Sequence, residues 1–293
     1  MRAARGALAL FLLLTLGLVG CSNSSGGPTD GAESSANIIE SALAAIGGAA
    51  SSSEGALGPT ALHALSSCLF SSVRSACSSG VDTLTWNGCS VGILATLSGS
   101  WVETWSSNPT CDLTSNGNTV TRTSTGQTLS LYSGAYFTMN TTAHTAYDGT
   151  SIPNTGVVVT MTNTGTSART VNITGLRKKF TGKYGGVLFD HSMVTPTPLT
   201  VVGTRALGTR AVSGSVTVYH NLAKYIADQT FSAVTWGSPT CCYPTSGTIA
   251  ATLTGSVTGT RSLNFAPGAT TCGTATFTDT DSSTKSVVLT MCE

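Results

Sequence analysis

The sequence predicts a mainly β protein. It should form a large antiparallel curved sheet, sandwich or partly closed barrel of about a dozen strands, preceded by one or two N-terminal helices. Three observations predict this. From Asp82 onward, apolar residues alternate with Thr and Ser at period two. Turn pairs such as Asn87-Gly88, Asn116-Gly117 and Asp148-Gly149 interrupt that pattern at short spacing, which leaves no room for crossover helices and so favours antiparallel neighbours. Polarity comes from Thr, Ser and Gly, since charged residues are only 9% of the chain.

Residues 1–20 have the parts of an export signal. Arg2 and Arg5 precede an apolar run from Ala7 to Val19, which is too short for a transmembrane helix of about 20 apolar residues. Leu18-Val19-Gly20-Cys21 resembles the lipobox of bacterial lipoproteins, which implies cleavage before Cys21 and acylation of its thiol. Two or more acyl chains anchor a protein stably where one does not. Ser22 and Asn23 follow with no Asp after the cysteine, which resembles outer-membrane destinations. Without Arg2 and Arg5 the formal charge falls from +1 to −1, so the chain has no electrostatic case for binding nucleic acid.

Residues 21–35 read as a Ser/Gly-rich flexible tether. Residues 36–80 read as a helical segment packing on the sheet. Ile38, Ile39, Ala42, Leu43 and Ile46 make one apolar face, and Leu62, Leu65, Leu69 and Val73 make a second over Pro59 to Cys77. Residues 81–293 read as the β domain. Strands are expected at Val91–Trp105, Thr119–Thr123, Thr128–Met139, Gly156–Thr162, Arg169–Leu176, Leu199–Thr204 and Arg210–His220. Further strands are expected at Phe231–Trp236, Thr248–Thr254, Val257–Phe265, Thr274–Thr278 and Ser286–Met291. Related hairpins lie near 83–111 and 234–272, where Trp86, Cys89, ATLSGS and Cys111 are echoed by Trp236, Cys241-Cys242, ATLTGS and Cys272.

Apart from Cys21, the chain has Cys68, Cys77, Cys89, Cys111, Cys241, Cys242, Cys272 and Cys292. An even number in an exported chain reads as a disulfide framework. If the hairpins are equivalent, one of the vicinal pair bonds Cys272 and the other is free for Cys292, with Cys89–Cys111 as the counterpart. A helix through both Cys68 and Cys77 would hold them roughly 13 Å apart, so either it ends before Cys77 or those two pair with Cys89 and Cys111. No metal site is expected, because no C-x-x-C pair exists and no His stands at ligand spacing from a cysteine. No cofactor is expected either.

The H-E-x-x-H signature of zinc hydrolases is absent from the sequence. His63 reads as an ordinary helix residue. His144 with Asp148, and Asp190 with His191, could be fragments of a catalytic site, but turn signals nearby favour solvated loop residues. His220 reads as a hairpin residue. Asp279-Thr280-Asp281-Ser282 has the oxygen spacing of a calcium loop but lacks its glycine and final acid, so an Asx-type turn is preferred. Arg177, Lys178, Lys179 and Lys183 are the densest charge. Their functional reading is contact with an anionic lipid or polysaccharide, against a plainer reading as a strand end protected from edge pairing.

The order of lipobox, tether, Ala-rich helices and Thr/Gly/Cys β body resembles uncharacterised lipoproteins of Gram-negative bacteria, and that resemblance carries no activity with it. The expectation is a lipid-anchored outer-membrane envelope protein, non-enzymatic, with a binding or structural role. The membrane is its partner through acylated Cys21. The alternative is a carrier of a lipid or other apolar ligand in a cavity between helix and curved sheet. A third reading is a hydrolase using His144 or His191.

Overall fold

In the computed structural model, residues 72–91, 95–107, 110–153, 155–203, 209–238, 240–241, 243–265 and 272–288 are described. The export signal, Cys21, the tether, the helix over 36–46 and the cysteines Cys68, Cys242 and Cys292 lie outside them. The described residues are mainly β and contain no helix. A 16-stranded antiparallel sheet carries almost all of them.

The sheet begins with β1 (Ser72–Arg74), β2 (Val81–Val91), β3 (Ala95–Trp105) and β4 (Thr119–Leu131), each paired to the next. At β4 it forks. One edge of β4 is covered by β3 throughout. On the other edge, Gln127–Ser130 pairs with β5 (Tyr136–Asn140), while Thr119–Arg122 pairs with β8 (Val157–Asn163). A two-stranded hairpin lies between these in sequence, β6 (His144–Thr145) and β7 (Ser151–Ile152). The first branch continues through β10 (Leu176–Thr181) and β11 (Val187–Val194). The second continues through β9 (Ala168–Ile173) and β12 (Leu199–Val202). Both rejoin at β13 (Arg210–His220), where Ala211–Ser213 meets β12 and Thr217–His220 meets β11. The pairings therefore close a ring of eight strands. Beyond β13 the sheet runs on through β14 (Tyr225–Trp236), β15 (Ser246–Gly255), β16 (Gly259–Phe265), β17 (Thr274–Thr278) and β18 (Thr284–Val288).

Both forks sit at register shifts, Ser100/Val102 beside β4 and Val212/Gly214 in β13. Glycine is required there. Gly99 has φ +108°, and a Cβ on it would lie 2.2 Å from the Gly126 carbonyl oxygen. Gly214 has φ +128°, with Leu199 3.0 Å from where its Cβ would be. Such bulges bend a strand and let its two halves follow different neighbours.

Strand alternation sends one side chain in two inward. Trp101, Val120, Val171, Leu199, Phe231 and Trp236 meet in one buried cluster that spans the ring and both flanks. Two disulfides clamp one end of the molecule. Cys77–Cys111 (Cα–Cα 5.9 Å) ties the segment after β1 to the β3–β4 connection, and Cys241–Cys272 (5.7 Å) ties the β14–β15 connection to the β16–β17 connection. Cys241 is thus the member of the vicinal pair that bonds Cys272. Cys111 takes Cys77, so the Cys89–Cys111 counterpart expected from the echoed hairpins does not form, and the alternative left open by the helix geometry does.

The structure corrects several expected elements. The helix expected over 59–77 does not reach its predicted end: Ser72–Arg74 is a strand on the edge of β2, with Val73 opposite Thr85. Backbone pairing to that edge overrides the helical stripe. The expected strands 119–123 and 128–139 divide instead at the turn after Leu131, because β4 runs unbroken past Gly126. The expected strand 169–176 is cut at Thr174-Gly175, where a Cβ on Gly175 would lie 2.3 Å from the Pro153 carbonyl oxygen. In the two echoed hairpins the registers differ. Trp86 faces Gly99, whereas Gly255 faces Tyr225 at the far end of β14 from Trp236.

Candidate functional site

The densest polar chemistry lies on the branch β5–β10–β11 and the adjoining end of β13. Register puts Met139, Lys178, His191, His220 and Tyr225 in one cross-strand row facing inward. Arg177 and Ser192 form the corresponding row on the outer face.

In the inner row, His191 Nε2 and His220 Nδ1 stand 2.9 Å apart, and His220 stacks on Tyr225 with ring centroids 4.0 Å apart. Phe189 packs on His191 at 4.9 Å and on Phe137 at 5.7 Å. One nitrogen of the histidine pair must donate and the other accept, so the pair cannot hold with both rings protonated. The electrostatics agree. Burial, with Lys178 beside it, lowers His191 to about 4. Burial, His191 and Arg261 together hold His220 well below the usual histidine range. His220 Nε2 has no hydrogen-bond partner among the described residues.

The outer row is a connected network. Arg177 Nε donates to Asp190 Oδ1 at 2.8 Å, and its Nη2 pairs with Oδ2. Asn221 Nδ2 donates to Asp190 Oδ1 at 3.2 Å and to Ser192 Oγ at 3.0 Å. His144 Nε2 lies 2.7 Å from Ser192 Oγ, and its Nδ1 lies 2.8 Å from the Thr142 carbonyl oxygen. Burial pushes Asp190 up, but its bonds to Arg177 and Asn221 outweigh that, so its carboxyl stays below the ordinary carboxylate range.

A carbonyl only accepts, so His144 Nδ1 carries the proton and Nε2 accepts from the Ser192 hydroxyl. This is the arrangement of a base-activated hydroxyl. Ser192, however, is 0% exposed, so no substrate carbonyl can reach its oxygen. What the network does is button the β6–β7 hairpin and the turn after β13 onto β11, with Asn221 Oδ1 also accepting from the Tyr147 backbone N–H at 3.0 Å.

The basic cluster singled out in the sequence is dispersed by strand alternation. Arg177 is paired with Asp190, Lys178 is buried on the inner face, and Lys179 is half-buried on the outer one. Only Lys183 stands in an exposed turn, with its Nζ 5.3 Å from the Tyr184 ring centroid. The histidine fragments are corrected as well. His144 and His191 are strand residues in buried networks, and His144 meets Ser192 rather than Asp148, which caps Thr150. The acidic turn after β17 is Asx-like: Asp279 Oδ1 accepts from the Thr280 N–H and Asp281 Oδ1 from the Ser283 N–H.

A second buried polar set was not foreseen. Glu103 and Arg122 pair at 2.7 Å, Trp105 Nε1 donates to Asp82 at 3.0 Å, and the Arg210 guanidinium lies 4.5 Å from the Trp236 ring centroid. Arg169 faces the same interior, and burial together with Arg210 and Arg122 lowers it to about 10. Their only sequence signal is that they occupy inward positions of strands. Among the described residues, no three His, Cys, Asp or Glu side chains come together as metal ligands. No protein-family model, curated protein or solved structure matches this chain significantly.

Proposed function

We propose that the chain is a lipid-anchored protein of the bacterial outer membrane, and that its disulfide-clamped β body acts by binding or spacing rather than by catalysis. The observation that carries this reading is the pair of cysteine bridges at one end of the sheet, joined to the Leu18-Val19-Gly20-Cys21 motif. Bridges of this kind persist in oxidising, extracytoplasmic compartments. The sealed Ser192–His144 pair supports a non-enzymatic role, since its hydroxyl meets no solvent. The packed cluster inside the ring favours a scaffold over a carrier, whose covering helix would fall mostly outside the described residues.

Metabolic labelling with palmitate tests the anchor. The parent chain should carry label and fractionate with the outer membrane, and a Cys21→Ala chain should carry none. A Cys21→Ala chain that was still labelled and cleaved would overturn the assignment of the anchor.

A further inference from the structure

The three largest exposed aromatics among the described residues are Tyr132, Tyr136 and Tyr184, and all sit on two neighbouring hairpin tips. Register makes those tips adjacent, since Tyr136 pairs with Ser130 within its own hairpin and with Thr181 of the next. Gly134 on the first tip packs near the Lys183 side chain on the second, at 3.7 Å from where a Cβ would be. The turns are closed by backbone bonds, Gly134 N–H to Leu131 O at 2.9 Å and Gly182 N–H to Gly186 O at 2.8 Å. Yet Tyr132 is 88% and Tyr184 92% exposed. A rigid backbone thus presents bare rings, with exposed Leu188 and Lys183 beside them and no acid on either tip.

We propose that this tyrosine end rests on the surface of the bilayer that holds Cys21. Amphipathic rings with a polar edge, an aliphatic neighbour and a lysine are the set that settles at the headgroup level of membranes. Lysine favours anionic headgroups. Leu188 argues for lipid over polysaccharide, because a sugar face stacks on rings and gains little from an isolated aliphatic. The direction of the chain agrees. β1 runs antiparallel to β2 with Ser72 opposite Trp86 and Arg74 opposite Leu84, so the N-terminal end of β1 lies toward the Val91 end of β2. Val91 faces Ala95, and Ala95 faces Leu131 at the base of the Tyr132 tip. The exposed acids Asp148, Asp228 and Asp281 lie off the two tyrosine tips, on other turns or on β14.

This inference rests on the anchoring proposed above, and its test separates the two. The acylated full chain is reconstituted in liposomes of phosphatidylethanolamine and phosphatidylglycerol containing brominated lipid, as Tyr184→Trp or, at the opposite end, Thr164→Trp. Flotation with the liposomes reads the anchor, and quenching reads the contact. The expected result is flotation of both, with the emission added at position 184 falling by roughly half and that at 164 unchanged. Flotation with neither position quenched overturns the contact and leaves the anchor standing; failure to float overturns both. Shielding of position 184 by peptidoglycan fragments without lipid quenching assigns the tips to a sugar ligand and overturns the membrane contact.

Discussion

Two branches span the same gap between β4 and β13; both bury apolar side chains, and they differ in how much hydrogen-bonded polar chemistry they carry. The branch β8–β9–β12 turns Val157, Val159, Val171, Ile173, Leu199 and Val201 inward. The branch β5–β10–β11 turns Lys178 and His191 inward, and on its other face it fastens Asp190 and Ser192 into a hydrogen-bonded network. The first is held mainly by non-directional burial, which tolerates small shifts, with Arg169 its one buried charged side chain. The second is held by directional contacts, each of which leaves a buried polar atom behind when its partner goes. One fold thus uses two kinds of cohesion side by side, and the polar kind lies on the branch that ends in the tyrosine tips.

The largest effect that sharpens this contrast comes from cavity formation in the apolar branch. Leu199→Ala removes a fully buried side chain beside Gly214 and should cost about 2–5 kcal/mol. Ser192→Ala on the polar branch removes almost no volume but strips His144 Nε2 and Asn221 Nδ2 of a partner, for about 1–3 kcal/mol. Denaturant midpoints measured on the oxidised protein check both. If Ser192→Ala proved neutral, the outer network would not be what fastens the β6–β7 hairpin.

Acid should separate the branches more gently. The folded pKa values of His191 and His220 lie below the histidine value of 6.5, so the fold favours their neutral forms. The stability they contribute is complete above about pH 6.5 and declines as pH falls toward about 4, because only the unfolded chain takes up protons in that window. The charged groups acting on the pair are Lys178 and Arg261, which favour the neutral rings, and Asp190, whose charge opposes them at His191 without outweighing burial. A His191→Phe/His220→Phe chain should show a flatter midpoint between pH 6.5 and 4 than the parent. An unchanged slope would mean that the pair is not held neutral by the fold. Loss below that range belongs to carboxylates such as Asp190.

The same contrast explains what the sequence reveals. β8, β9, β12 and β13 are legible because Val, Ile and Leu alternate with Thr along them. β10 and β11 are not, since Arg177-Lys178-Lys179 hides an inward Lys178 among outward cations and Asp190-His191 resembles a turn. β1, at three residues, is too short to show any period against the helical stripe that runs into it. The forks leave only Gly99 and Gly214 as traces, and a glycine in a strand has several readings. Cys272 was legible as a partner of the vicinal pair from the order of the echoed segments. Cys111 was harder, because its partner Cys77 follows a strand where the sequence pattern suggests a helix. The network on Ser192 draws on residues from 144 to 221 and has no local signature.

Peptide mapping of the unreduced protein, taken from the membrane fraction, tests the central claim most directly. The account predicts one peptide pair joined through Cys77 and Cys111, another through Cys241 and Cys272, and an acylated N-terminal peptide beginning at Cys21. Recovery of Cys77, Cys111, Cys241 and Cys272 as free thiols, on a chain whose Cys21 is unmodified, would contradict it.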